Sequence, residues 1–148
     1  MIIWNKPTRF LSIQALTLFL LLFPFSLFAQ QLQVHFIDVG QGDAIFITNL
    51  TNQAILIDAG DKPSSKTVID YLRGQNCKKL DILVATHPDN DHIGGMAGVI
   101  KGFPITLYLD SGVEKPTQTY RNLNLLVKEK GIEHKIVRAG QNYDDLFK

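Results

Sequence analysis

Thr86-His-Pro-Asp-Asn-Asp-His92 places four side chains able to bind a divalent cation within six residues: His87, Asp89, Asp91 and His92. Two imidazoles and two carboxylates suit a hard or borderline ion. Without a cation, carboxylates so close would repel each other unless one took up a proton. The plain alternative is a solvated polar loop with ordinary histidines. The position argues against it: the loop directly follows the apolar run Ile82–Ala85, and loops at strand ends are where function concentrates. Gly94-Gly95, just beyond, predicts backbone able to approach a ligand closely.

Alternating strands and helices must position that loop. Leu32–Val39, Ala44–Thr48 and Ala54–Asp58 read as three short strands, close together and antiparallel. Lys62-Pro-Ser-Ser65 reads as a loop and helix cap, after which Val68, Ile69 and Leu72 share one helical face until Gly74. Ile82–Ala85 is a continuous apolar run, the mark of a buried strand. Ile93–Ile100 predicts a short helix and Thr106–Leu109 a strand. Thr117 caps a helix with Tyr120, Leu123 and Val127 on one face, stopped by Gly131. Ile136-Val137 closes the readable structure. His35 is expected on the polar face of the first strand.

The chain has 148 residues, 45% of them hydrophobic and 20% charged, which fits one globular domain. A formal net charge of +1 supplies no basic field for nucleic acid. Cys77 is the only cysteine, so an internal disulfide and a multi-cysteine zinc site are excluded. Residues 1–29 differ from the rest. Lys6 and Arg9 precede Phe10–Phe28, where 14 of 19 residues are apolar, and Ala29 then meets polar Gln30-Gln31. A basic start, an apolar middle and a small residue before a polar stretch predict a secretory signal peptide. The rival is an uncleaved membrane anchor, since 19 residues just span a bilayer. Cleavage would remove Lys6 and Arg9, leave a net charge of −1, and place the domain from residue 30 onward outside the cytoplasm, secreted or periplasmic. An anchor would hold it at the membrane facing outward.

His87-Pro-Asp-Asn-Asp-His-Ile-Gly-Gly95 resembles the metal-binding loop of the metallo-β-lactamase superfamily, whose usual form is His-x-His-x-Asp-His. Phe36-Ile-Asp-Val-Gly-Gln-Gly-Asp-Ala44 and Leu56-Ile-Asp-Ala-Gly60 are similar to the strands that open that fold, and Leu80-Asp-Ile-Leu-Val-Ala-Thr86 to the strand entering the loop. Together they resemble the metallo-β-lactamase-like domain of ComEC-type DNA-uptake proteins. The resemblance implies an α/β (α+β) fold: the N-terminal half of an αββα sandwich, a mixed sheet with flanking helices. It also implies one or two divalent ions, zinc or manganese. His87 and Asp89 would hold the first, and Asp91 and His92 the second. Hydroxide formed there would attack phosphorus, with Asp91 orienting the water as a catalytic residue. Asp58 and Asp43 would steady the loop from behind, or else serve only as turn residues beside Gly60 and Gly42.

Asp89 stands where the commonest family pattern has histidine. A carboxylate hardens the site and moves preference from zinc toward manganese or magnesium. The family takes further ligands from later in its fold. Here His134 is the one later histidine, expected as a strand-edge residue, and Asp144 and Asp145 have no assignable role. The resemblance therefore implies a domain truncated at its C-terminus, with one sheet face lacking its partner layer, to be completed by a longer chain or by a partner chain. The functional expectation is a phosphodiesterase or nuclease-like hydrolase. Other ester or amide substrates are weaker candidates. The alternatives are a non-catalytic metal-binding or DNA-uptake accessory module, or an inactive fragment of the hydrolase. Nucleic acid is a partner only in this sense, since no basic-aromatic patch stands out.

Overall fold

The structure is a computed structural model that describes residues 32–143. Residues 1–29, where a signal peptide or an anchor is expected, and Asp144–Asp145 lie outside the described residues. β1 (Gln33–Phe36), β2 (Ile45–Thr48) and β3 (Ala54–Ile57) pair antiparallel in chain order. Helix and strand then alternate: α1 (Ser65–Gly74), β4 (Leu80–Ala85), α2 (Asn90–Ile93), α3 (Met96–Gly102), β5 (Ile105–Asp110), α4 (Gln118–Glu129) and β6 (Glu133–Ile136). β3 through β6 pair parallel, giving a mixed six-stranded sheet ordered β1-β2-β3-β4-β5-β6. Parallel neighbours need crossovers, and the helices provide them.

The register explains the core. Phe46, Leu56, Leu83 and Tyr108 stand side by side across β2 to β5. All four are buried, and the helices supply Val68, Leu72, Met96, Val99, Leu123 and Val127 to the same cluster. The row ends in a histidine at either side, His35 opposite Phe46 and His134 opposite Tyr108. His35 is thus on the helix side, not the polar face expected for it. Its Nδ1 is 3.0 Å from the Tyr71 hydroxyl, and its ring lies 5.4 Å from that of Phe46.

The opposite face carries a second apolar set. Ile82, Leu107 and Leu109 are buried there, with Val137 and Tyr143 packed against them. Over β1 the face is open, and Phe36 is 79% exposed. β6 carries Glu133, His134 and Lys135, polar residues that blunt a sheet edge. Among the described residues no helix is long and apolar enough to cross a membrane.

Two local expectations change. Ser64 occupies the position before α1 but makes no capping bond from its side chain. Its hydroxyl lies 3.0 Å from the Val39 carbonyl oxygen and also contacts Asp61, tying α1 to the loop after β1. The single helix expected over 93–100 is two, α2 and α3, broken at Gly94-Gly95. There the Gly95 N–H donates out of the helix to Gly60 O at 3.0 Å, and glycine is required because a Cβ would fall 2.1 Å from the Ala59 carbonyl oxygen. Thr117 does cap α4, its Oγ1 accepting from Tyr120 N at 3.2 Å. Thr117→Ala is expected to cost about 1 kcal/mol in urea unfolding with no change at the loop 86–92.

Candidate metal centre

β3, β4 and β5 end on one edge of the sheet, the edge where parallel α/β sheets gather ligands. At the end of β3 the chain bends through Asp58, a non-glycine residue at φ +56°. Aspartate tolerates this left-handed conformation better than most residues. The neighbouring bonds hold it there: Asp58 N donates to Val84 O at 2.9 Å and Ala59 N to His92 O at 2.8 Å. The side chain, 1% exposed, points beneath the loop 86–92.

Three donors converge on that carboxylate. Thr86 N donates to Asp58 Oδ1 at 3.0 Å, and the Thr86 hydroxyl donates to Oδ2. His92 Nδ1 is 2.9 Å from the same Oδ2. A carboxylate only accepts, so His92 Nδ1 carries its proton and Nε2 keeps a free lone pair. Thr86 has spent its one hydroxyl proton on Asp58. Its oxygen, 3.0 Å from His87 Nδ1, therefore accepts from His87. Both imidazoles are fixed in the same tautomer, each with Nε2 available, and their rings lie 3.9 Å apart at 50°.

One ligand atom from each of Asp58, His87 and His92 lies within 4.8 Å of the others. Two imidazoles backed by a buried carboxylate are a donor set that fits a divalent cation. The two loop carboxylates have hydrogen-bond partners of their own. Asp89 Oδ1 accepts from Lys115 Nζ at 2.7 Å, while Asp89 Oδ2 lies 4.0 Å from His87 Nε2. Asp91 Oδ2 accepts from Gln41 Nε2 at 3.2 Å. Asp43 stays at the rim, Oδ2 3.9 Å from His92 Nδ1, and its carbonyl accepts from Gly60 N at 2.9 Å. Gly42 lets that rim close: at φ +91°, a Cβ there would fall 1.7 Å from the Asp91 carbonyl oxygen.

The hydrogen bond from Lys115 holds the Asp89 carboxyl below its usual value of 3.8. A pKa lowered by folding contributes stability above the unfolded value, and that stability is lost as pH falls through the lower folded one. Both side chains are nearly half exposed, so the contribution is small. Carbon-detected NMR should show Asp89 titrating below 3.8, with Lys115→Met moving it back toward that value. Cys77 takes no part: its thiol is half-buried, and burial pushes its pKa up, away from the reactive thiolate.

The sequence profile described as the metallo-beta-lactamase superfamily matches residues 37–139, from the loop after β1 to the turn after β6. The chain belongs to the metallo-beta-lactamase superfamily. Within it, the chain is 28% identical over 142 aligned positions to ComE operon protein 3 of Bacillus subtilis (strain 168), covering 84% of this chain and 18% of that protein. It is 34% identical over 77 residues to Recombination protein 2 of Haemophilus influenzae, covering 49% of this chain and 10% of that protein. The chain spans less than a fifth of the length of either relative. Among solved structures, the Rm3 metallo-beta-lactamase superimposes with a TM-score of 0.55 at 15% identity, over 74% of this chain and 44% of that one. That likeness is one of fold. In this superfamily member, Gln41 and Lys115 are the neighbours of the loop that adjacency in sequence did not reveal. They reach it from 50 and 26 residues away.

Proposed function

We propose that the domain is a metal-dependent hydrolase of phosphodiesters, with His87 and His92 as nitrogen ligands and Asp89 and Asp91 as the carboxylates that complete one or two divalent sites. The observation that carries this reading is the common anchoring of the two imidazoles, both held at Nδ1, within ligand distance of each other. A divalent ion bound there would lower the pKa of water and offset charge gathering on phosphoryl oxygens. Asp58 would hold His92 in place and raise its basicity as a ligand. Asp91 would orient the attacking water through its second oxygen, and Asp43 would steady the rim beside His92. Asp89 in place of a third histidine favours manganese over zinc. The resemblance of the loop and opening strands to ComEC-type DNA-uptake proteins supports a nucleic-acid backbone as the phosphodiester. The apolar segment 10–28 supports a working place outside the cytoplasm, reached as a secreted domain or held there by an anchor.

Purified protein with added Mn²⁺ or Zn²⁺ is expected to hydrolyse bis(p-nitrophenyl) phosphate, to lose that activity to a chelator and to regain it on metal return. Stoichiometric metal binding without turnover would refute the hydrolase and assign a non-catalytic module.

A further inference from the structure

We propose that Lys115 is the substrate-binding cation of this site and makes it selective for anionic esters. The inference rests on the hydrolase reading above and goes beyond it in naming the charge of the substrate. Lys115 lies in the segment between β5 and α4, outside the metal-ligand loop, yet its Nζ is 2.7 Å from Asp89 Oδ1. The other oxygen of that carboxylate is 4.0 Å from His87 Nε2, the nitrogen with the free lone pair. A single carboxylate therefore separates the ammonium from the centre.

The Lys115–Asp89 pair is no structural lock. Its side chains are 42% and 46% exposed, and pairs so wet contribute little to stability. Breaking the pair costs little, so Lys115 can exchange Asp89 for a stronger anion. A phosphoryl oxygen is such an acceptor, and an ammonium binds it as a mobile point charge. Gln41, on the opposite side, donates to Asp91 in the parallel way at 3.2 Å, but without charge. Other basic groups have recorded contacts elsewhere: Arg138 with the Ser111 carbonyl, Arg121 with the Pro116 carbonyl, Arg73 over the Phe103 ring, Lys79 with Asp81, Lys135 with Glu133 and Lys66 with Asp70. Among the described residues, Lys115 is the lysine or arginine recorded against a carboxylate of the loop, a positive charge suited to the single negative charge of a phosphodiester.

The test uses full-length wild-type protein, Lys115→Met and Lys115→Arg, each loaded with Mn²⁺. Inorganic phosphate binding is measured by calorimetry and metal content by elemental analysis. Lys115→Met should weaken phosphate binding roughly 10- to 100-fold, the span of one charged hydrogen bond, with metal content unchanged and Lys115→Arg restoring most of it. Where turnover is measurable, Lys115→Met should raise KM for bis(p-nitrophenyl) phosphate more than it lowers kcat, and leave the neutral ester p-nitrophenyl acetate untouched. Equal phosphate affinity in wild type and Lys115→Met overturns the proposal. So does a Lys115→Met protein whose metal content falls, because the lysine would then serve the ligands. Phosphate binding that depends on Lys115 in a protein without turnover would sustain the anion site while removing the hydrolase reading.

Discussion

Asp58→Ala is expected to be the most destabilising single change among the site residues, costing about 3–5 kcal/mol in urea unfolding. The carboxylate is 1% exposed and accepts from Thr86 N, the Thr86 hydroxyl and His92 Nδ1. Alanine removes every acceptor at once, and each donor then lacks a partner. The substitution also places a residue poorly suited to φ +56° at a tight bend. Asp58→Asn separates the two causes. Asparagine tolerates the bend and keeps the volume, but one of its oxygens becomes a donor facing donors. It should therefore fold with a smaller loss, yet bind metal about 10–100-fold more weakly, because His92 is no longer oriented. A metal affinity unchanged in a folded Asp58→Asn would detach this carboxylate from the site.

His92→Ala should do the opposite. The side chain is 13% exposed and packs on His87 at the edge of the sheet, not among the core residues. Stability should fall by about 1–2 kcal/mol, the cost of leaving Asp58 one donor short. Hydrolysis of bis(p-nitrophenyl) phosphate should drop on the order of 10³-fold, the scale seen when one fixed electrostatic contact to a reacting group is removed. His134→Ala is the matched control. His134 Nε2 pairs with Asp110 Oδ2 at 2.8 Å on the edge strand, so its loss should leave turnover intact. A His92→Ala protein that retains most of its activity would show that the chemistry does not pass through this imidazole.

The fold was readable because its signals are local. Apolar runs of four to six residues became β2, β3, β4 and β5, and the spacing of Leu123 and Val127 became the buried stripe of α4. β6 was nearly invisible, since all four of its residues are exposed and carry no periodic pattern. The break between α2 and α3 escaped for a different reason. It coincides with a bond from Gly95 N to Gly60 O, a partner distant in sequence, beside an Ala59 carbonyl that leaves no room for a side chain at Gly95.

The chemistry of the loop was legible in one stretch of chain because His87, Asp89, Asp91 and His92 are neighbours in sequence. The partners that orient them are not. Asp58 meets Thr86 and His92 across 28 and 34 residues, through the parallel pairing of β3 with β4. Lys115 and Gln41 arrive from separate loops. No periodicity encodes such meetings, because they depend on which strand ends share an edge.

The proposed metal site requires His87 and His92 to offer Nε2 to bound metal while Nδ1 of each stays protonated. Long-range ¹⁵N–¹H spectra of the imidazoles during a Zn²⁺ titration address it atom by atom. The predicted result is a shift of both Nε2 resonances at stoichiometric metal, with both Nδ1 signals protonated throughout and His35 and His134 unmoved. Metal-dependent shifts at Nδ1, or at His35 and His134 in place of the loop pair, would contradict it.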